Sequence, residues 1–254
     1  MNTPDPLQLL PLRPLANVRI VLVRTSHPGN IGAAARAMKT MGLTRLTLVA
    51  PDKFPDPVAD ARATGALDVL SGATVCGTLE EALAGTLHAV ALSARRRELP
   101  HAVRDARQAA AELVERARDG EVALVFGTEM AGLSNVEAGL CREFATIPAN
   151  PDYSSLNLGS AVQVMAYEVR MAALESTAAP RAVVEPGREP ARFEDIENLF
   201  RHLETTMIET GFLDPGQPKR LMPRLRRLFA RTALEKEEVN ILRGFLNSVN
   251  SGRK

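Results

Sequence analysis

Residues 147–169, IPANPDYSSLNLGSAVQVMAYEV, decide how the chain is read. The preceding Phe144-Ala145-Thr146-Ile147 has the character of a short buried strand, Pro148 and Pro151 forbid its continuation, and Leu158, Val162, Met165, Ala166 and Val169 then share one helical face. A strand therefore passes into a helix through a tight loop. That loop holds Asn150, Asp152, Tyr153, Ser154, Ser155 and Asn157, more hydrogen-bonding groups than a turn requires, beside the free N–H groups of a helix start. Two readings fit it: a site for a polar ligand, or a well-capped helix after a Pro-rich turn.

Upstream, strands and helices alternate. Val18 to Arg24 (VRIVLVR) reads as a strand, Thr25 to Asn30 carries turn chemistry, Ile31 to Met41 is rich in helix formers, and Gly42 sits where a helix C-cap belongs. Arg45 to Val49 completes a βαβ unit. Ala73 to Cys76 is a further short strand, and Thr78 with Glu81 makes a capping box for a helix through Ala84. His88 to Leu92 reads as a strand before the polar loop Ser93 to Pro100, which contains Arg95, Arg96 and Arg97. Val103, Ala106, Ala110, Leu113, Val114 and Ala117 keep helical spacing up to Gly120, and Val122 to Phe126 is another buried strand. After the loop Gly127 to Leu133, Ser134 and Glu137 form a second capping box for a short helix to Leu140. This order predicts an α/β fold, a mainly parallel sheet between helices.

Downstream the pattern is helical only. Ser176 to Ala191, with Pro180, Pro186 and Pro190, reads as a linker. Phe193, Ile196, Leu199, Phe200, Leu203 and Met207 define one amphipathic helix, and Gly211 to Pro218 breaks it. Arg220, Arg224, Arg227 and Arg231 then share a face, with Leu221, Leu225 and Leu228 about 100° away, so this helix is expected to dock through its leucines and present an arginine stripe. A third helix carries Val239, Leu242, Leu246 and Val249 on one side. From Lys219 to Lys254 ten Lys/Arg face three Glu, a net of +7 in a chain whose total is +1. That asymmetry points to nucleic acid, although a solvated helix face would look similar. With no Trp and two Tyr, gripping phosphates fits better than base stacking.

At 254 residues, 45% hydrophobic and 24% charged, the composition is that of a globular protein, and no apolar run is long enough to cross a bilayer. Residues 1–16 lack the basic start and unbroken apolar core of a secretory signal, so a Pro-rich disordered tail and a cytosolic protein are expected. Cys76 and Cys141 suggest two buried thiols rather than a disulfide framework. The four histidines show no metal-ligand spacing, and His27 and His101 read as loop residues. No Gly-x-Gly-x-x-Gly, Gly-x-x-x-x-Gly-Lys-Ser/Thr or Gly-x-Ser-x-Gly occurs, which removes support for dinucleotide, NTPase and serine-hydrolase chemistry.

Three loops remain, each at the end of a predicted strand: Asn30-Ile31-Gly32 with Arg36 behind it, Phe126-Gly127-Thr128-Glu129-x-x-Gly132-Leu133, and Asn150 to Asn157. In this combination and order they resemble the three motifs of the SPOUT-class RNA 2'-O-ribose methyltransferases, and most of all the TrmJ-type tRNA (cytidine/uridine-2'-O)-methyltransferases. The likeness runs from Val18 to Leu174 and from Phe193 to Asn250, including the ending Asn240-Ile241-Leu242-Arg243-Gly244. It implies a C-terminal trefoil knot, an obligate homodimer, S-adenosylmethionine as cofactor and nucleotide 32 of a tRNA anticodon loop as target. Domain bounds follow: 17–175 for the methyltransferase, 176–191 for the linker and 192–254 for a helical RNA-binding extension that includes Arg220, Arg224, Arg227 and Arg231. Ribosomal RNA as the substrate, or an idle RNA-binding dimer, are the alternatives.

Carried over by resemblance, Leu92, Ser93, Ala94, Gly127, Ile147, Ser154, Ser155 and Leu156 would line the cofactor, mostly through backbone groups that suit an adenine edge. Arg36 would sit beside the substrate ribose and phosphate. An arginine, charged at any ordinary pH, clamps phosphate and stabilises developing alkoxide charge better than it removes a proton. Asn30, Glu129, Ser155 and Asn157 would orient Arg36, the ribose or the loop. Thr128 departs from relatives that carry arginine there, which puts any substrate contact from that position in doubt.

Overall fold

Val18–Val23 (β1) and Val122–Phe126 (β6) are buried at nearly every residue, so neither alternates in polarity; a strand covered by helices on both faces requires such a run. The computed structural model describes residues 10–93, 103–176 and 189–251. The chain divides into two units, Met1–Pro180 and Arg181–Lys254. In the first, β1 and β6 join Arg45–Val49 (β2), Thr74–Cys76 (β3), His88–Leu92 (β4), Val103–Asp105 (β5) and Glu143–Thr146 (β7) in one sheet of order β3-β2-β1-β6-β4-β7-β5. Every pairing is parallel; the register sets Leu22 against both Leu48 and Phe126, and Leu92 against Ala145. All C-terminal strand ends thus lie along one edge, where those of β1, β6, β4 and β7 are neighbours.

The helices are Pro28–Met41 (α1), Pro57–Ala63 (α2), Leu67–Ser71 (α3), Leu79–Leu83 (α4), Ala106–Ala117 (α5), Asn135–Leu140 (α6) and Leu158–Glu175 (α7). The main core gathers Ile20, Leu22, Leu48, Leu124 and Phe126 of the sheet with Ile31 and Met38 of α1, Leu113 of α5 and Val162, Met165 and Val169 of α7. Each large side chain fully buried there contributes on the order of 2 kcal/mol. Leu79, Ala82 and Leu83 of α4 are buried outside that core, and α4 packs on β2 and β3. Close approach of helices depends on two glycines. A Cβ on Gly32 would lie 2.1 Å from the Ala59 carbonyl oxygen of α2, and one on Gly159 would lie 2.7 Å from the Ala33 Cβ.

Several expectations change in detail. α1 begins at Pro28 rather than Ile31, because proline at the first helical position loses no hydrogen bond that the helix needs and Gly29 and Asn30 fit in the first turn. Val103–Asp105 pairs with β7 instead of opening the helix, and Asp105 caps α5 by accepting from the Gln108 N–H at 2.8 Å. The segment 57–71, not read as structured, forms α2 and α3 with Asp56 as the first cap. The expected tail ends early: Leu10–Asn17 is a 3-10 helix with Leu15 buried against the core and packed on α7, while residues 1–9 lie outside the described residues.

In the second unit Phe193–Glu209 (α8), Leu221–Ala230 (α9) and Lys236–Ser251 (α10) enclose Ala191, Ile196, Leu199, Phe200, Leu234, Val239 and Leu246. Of the expected linker, 177–188 lies outside the described residues, and its end already belongs to this unit. Pro190 bridges Glu235, the Ala191 N–H donates to the Leu234 carbonyl at 2.9 Å and Ala191 is buried. Proline lacks an N–H, so its neighbours Glu189 and Ala191 make the bonds. The docking face of α9 also shifts: Met222, Leu225 and Phe229 pack on this core, while Leu228 is exposed.

Candidate methyl-transfer site

The turn after β1 is built to donate hydrogen bonds. His27 caps α1, its Nδ1 accepting from the Gly29 N–H at 3.0 Å, so this expected plain loop histidine has a local structural role. Fixing His27 leaves the N–H groups of Ser26 and His27 pointing outward, and both donate to the Glu129 carboxylate, at 3.2 and 3.3 Å. The Ser26 hydroxyl adds a third bond at 3.0 Å.

Glu129 is presented by a loop that can fold only around glycine. Thr128 and Gly132 exchange backbone bonds of 3.3 and 2.9 Å, Gly132 takes φ 69, and a Cβ on Gly127 would sit 2.2 Å from the Gly132 carbonyl carbon. Asn30 Nδ2 donates to Glu129 Oε1 at 2.9 Å, and Asn157 Nδ2 donates to Asn30 Oδ1 at 2.9 Å. Asn157 Oδ1 in turn accepts from the Gly159 N–H at 2.9 Å and caps α7. This chain fixes both amide orientations, since only nitrogen can face the carboxylate. Burial by itself would raise the Glu129 carboxyl, but the bonds from Asn30, its own backbone, Ser26 and His27 prevail and hold it below the usual carboxylate range.

Beside this network opens a cleft of about 260 Å³ at the C-terminal edge of the sheet. Leu92, Ser93, Gly127, Ile147, Ser154, Ser155 and Leu156 all line it; Ala94 lies outside the described residues. Phe126, Phe144, Leu158 and Ala161 supply apolar walls, and Met130 to Leu133 and Ala138 border it. Of these, Phe126, Gly132 and Leu133 stand in the second sequence motif, while Met130, Ala131, Ala138, Phe144, Leu158 and Ala161 carry no polar signal that would single them out. Of the five residues expected in catalysis, Glu129 and Ser155 line the cleft, while Asn30 and Asn157 join it through Glu129. Arg36 does neither. It is exposed on α1, does not line the cleft and has no side-chain partner among the described residues.

Among the described residues no group of three or more His, Cys, Asp or Glu could hold a metal ion, and no helix is long and apolar enough to cross a membrane. Cys141 is buried and its thiol pushed up to about 12, whereas Cys76, expected to be buried, is only half-buried at the end of the edge strand β3. In the second unit Arg220, Arg224, Arg227 and Arg231 are exposed at the ends and along one side of α9, without ion pairs among the described residues. Arg226 differs, held by Glu197 at 2.5 and 2.7 Å and lying 4.5 Å from the Phe200 ring centre.

Known proteins match both units. Residues 17–167 match the SpoU rRNA Methylase family, and residues 194–254 match the C-terminal domain of the tRNA methyltransferase TrmJ. The tRNA (cytidine/uridine/adenosine-2'-O-)-methyltransferase TrmJ of Pseudomonas aeruginosa is 49% identical, covering 91% of this chain and 93% of its own length. The tRNA (cytidine/uridine-2'-O-)-methyltransferase TrmJ of Cronobacter sakazakii is 50% identical over 94% of this chain and 98% of its own. The crystal structure of TrmJ from Z. mobilis ZM4 superposes with a TM-score of 0.80 at 37% identity, covering 92% of this chain and all of that one.

Proposed function

The chain belongs to the SpoU methylase family, and on that footing we propose that it is a tRNA 2'-O-methyltransferase acting on cytidine or uridine 32 of the anticodon loop. The observation that carries the reading is the convergence of three separate loops, at residues 92–93, 127–133 and 147–156, on one cleft next to the Asn30–Glu129–Asn157 network. Relatives that share about half of this sequence act on tRNA, which favours tRNA over ribosomal RNA.

The cleft suits S-adenosylmethionine. Leu92, Phe126, Ile147 and Leu156 offer apolar walls for an adenine ring, the loop backbones offer its edge partners, and Gly127, with no Cβ, lets the 127–133 loop close on itself beside the cleft. When bound, the cofactor supplies a methyl group activated by a sulfonium. Ser154 and Ser155 can hold its polar groups. Glu129 stays ionised and keeps the β1–α1 turn and the 127–133 loop in register, so the walls do not have to rearrange on binding. Asn157 ties α7, and with it the 147–157 loop, to the same point.

Arg36, free of partners among the described residues, is assigned to the RNA. Its guanidinium fork fits a phosphate and offsets charge developing on the 2'-oxygen, and a group with five donors and no acceptor is suited to clamping rather than to taking up a proton. The same reading takes a trefoil knot around the 147–157 loop, a cytosolic homodimer, residues 17–175 as the catalytic domain and 192–254 as the RNA-gripping extension joined by 176–191. Met130, Val136 and Tyr153 are strongly exposed apolar side chains of the kind a second subunit would cover. Incubating the pure protein with unmodified tRNA transcripts and methyl-labelled S-adenosylmethionine, then mapping the product by nuclease digestion and mass spectrometry, tests the proposal. A 2'-O-methyl at position 32 is expected; label on a base, or none, would refute it.

A further inference from the structure

Arg24 stands at the end of β1 with φ 46, a left-handed conformation that L side chains adopt at a cost. Its guanidinium forks onto Glu137, Nη1 to Oε1 and Nη2 to Oε2, the latter at 3.0 Å. The same Oε2 accepts from the Ser134 N–H at 2.7 Å, so one carboxylate both closes the capping box of α6 and receives Arg24. Side-chain exposure is 46% for Arg24 and 12% for Glu137. A half-exposed pair contributes little to global stability, which makes it a weak compensation for a strained backbone. Its consequence is geometric.

The strand-end turn holds the cleft loop at two points. Ser26 and His27 grip Glu129 near its start, and Arg24 grips Glu137 just past its end. Between the two anchors lie Met130, Ala131, Gly132 and Leu133, and next to the second lies Ala138, all of them cleft residues. Arg24 itself does not line the cleft. We infer that Arg24 is a positioning residue for cofactor binding, acting through Glu137 to hold the 127–134 loop and the start of α6 against the cleft. This rests on the cleft being the S-adenosylmethionine site. The shifts agree with a working pair: the hydrogen bond that Arg24 donates to Glu137 raises the Arg24 guanidinium, and although burial pushes the Glu137 carboxyl up, that same bond helps hold it below the usual carboxylate range.

The test uses full-length wild type, Arg24→Ala, Arg24→Lys, Glu137→Gln and the Arg24→Ala/Glu137→Gln double variant. It combines calorimetric titration with S-adenosylhomocysteine and steady-state kinetics on tRNA. Arg24→Gly, which suits the positive φ, stands in if Arg24→Ala does not fold. Arg24→Ala should raise both the S-adenosylhomocysteine Kd and the S-adenosylmethionine KM roughly five-fold, while kcat at saturating cofactor and the tRNA KM stay within about two-fold. The double variant should bind no worse than Arg24→Ala alone, and Arg24→Lys should recover part of the loss. Unchanged Kd in a folded Arg24 variant, or full additivity of the two single effects, would overturn the inference alone. Wild-type protein that fails to bind S-adenosylhomocysteine would overturn the cofactor reading and the inference with it.

Discussion

Replacing Glu129 by glutamine puts an NH2 group where every neighbour donates. Oε1 receives Asn30 Nδ2 at 2.9 Å and the His27 N–H at 3.3 Å, and Oε2 receives the Ser26 N–H at 3.2 Å and its hydroxyl at 3.0 Å. Whichever way the amide turns, its nitrogen meets a backbone N–H. Asn30 could flip to offer its oxygen, but its nitrogen would then confront Asn157 Nδ2, which is itself fixed by the α7 cap. The conflict moves along the chain without being relieved. Loss of charge assistance plus one unpaired donor costs roughly 2–4 kcal/mol in a fully buried site, and water reaching this half-buried carboxylate reduces that to about 1–2 kcal/mol. Urea unfolding should register that loss. Because the distortion falls on the cleft, kcat/KM for tRNA methylation should drop at least about ten-fold. A Glu129→Gln protein within about 0.3 kcal/mol of wild type and within about two-fold in kcat/KM would refute the network's role.

The same residue makes a pH prediction. Its folded pKa is lowered, so its stabilisation is complete above the unfolded value of about 4.3 and is lost as pH falls through the lower folded one. The stability gap between wild type and Glu129→Gln should therefore narrow on acidification through that window; a gap that persists unchanged would contradict the assignment.

Substitutions at three other places probe the remaining parts. Arg36→Ala should abolish methyl transfer with S-adenosylhomocysteine affinity nearly unchanged, and Arg36→Lys should rescue poorly because a point charge lacks the fork; near-normal turnover of the lysine variant would remove Arg36 from the RNA contact. Leu156→Glu, which sets an unpaired charge against the cleft walls, should weaken S-adenosylhomocysteine binding at least about ten-fold and tRNA binding much less, as read by calorimetry and filter binding. Changing Arg220, Arg224, Arg227 and Arg231 together to alanine should lower affinity for all tRNAs alike and flatten the log–log salt dependence by about 0.9 for each phosphate that is no longer neutralised; unchanged slope and affinity in a folded protein would make the stripe a solvated face.

What the sequence disclosed is what local chemistry determines. The capping boxes Thr78/Glu81 and Ser134/Glu137 form as expected because each needs only a hydroxyl, a carboxylate and the backbone between them. β1 and β6 declare themselves because burial on both faces leaves an unbroken apolar run. α2 does not, since it packs through Ala59 and Ala63 against Gly32, and small residues leave no hydrophobic period to count. β5 escapes for another reason: three residues, two of them exposed, become a strand only because the edge of β7 is there to pair with.

The site divides along the same line. Seven cleft residues were expected from the family resemblance, but the reason they meet is the sheet order, in which β4 lies between β6 and β7 although it precedes both in sequence. No local pattern encodes that order. Nor does any pattern join Arg24 to Glu137, 113 residues apart; each looks like an ordinary surface charge until β1 and α6 are side by side. The glutamate of a capping box has two oxygens, and local structure uses only part of their capacity. Where the fold brings a cation to the unused part, a helix cap becomes an anchor for the neighbouring loop. The contacts hidden from sequence here are therefore those in which a locally explained residue still has hydrogen-bonding capacity to spare.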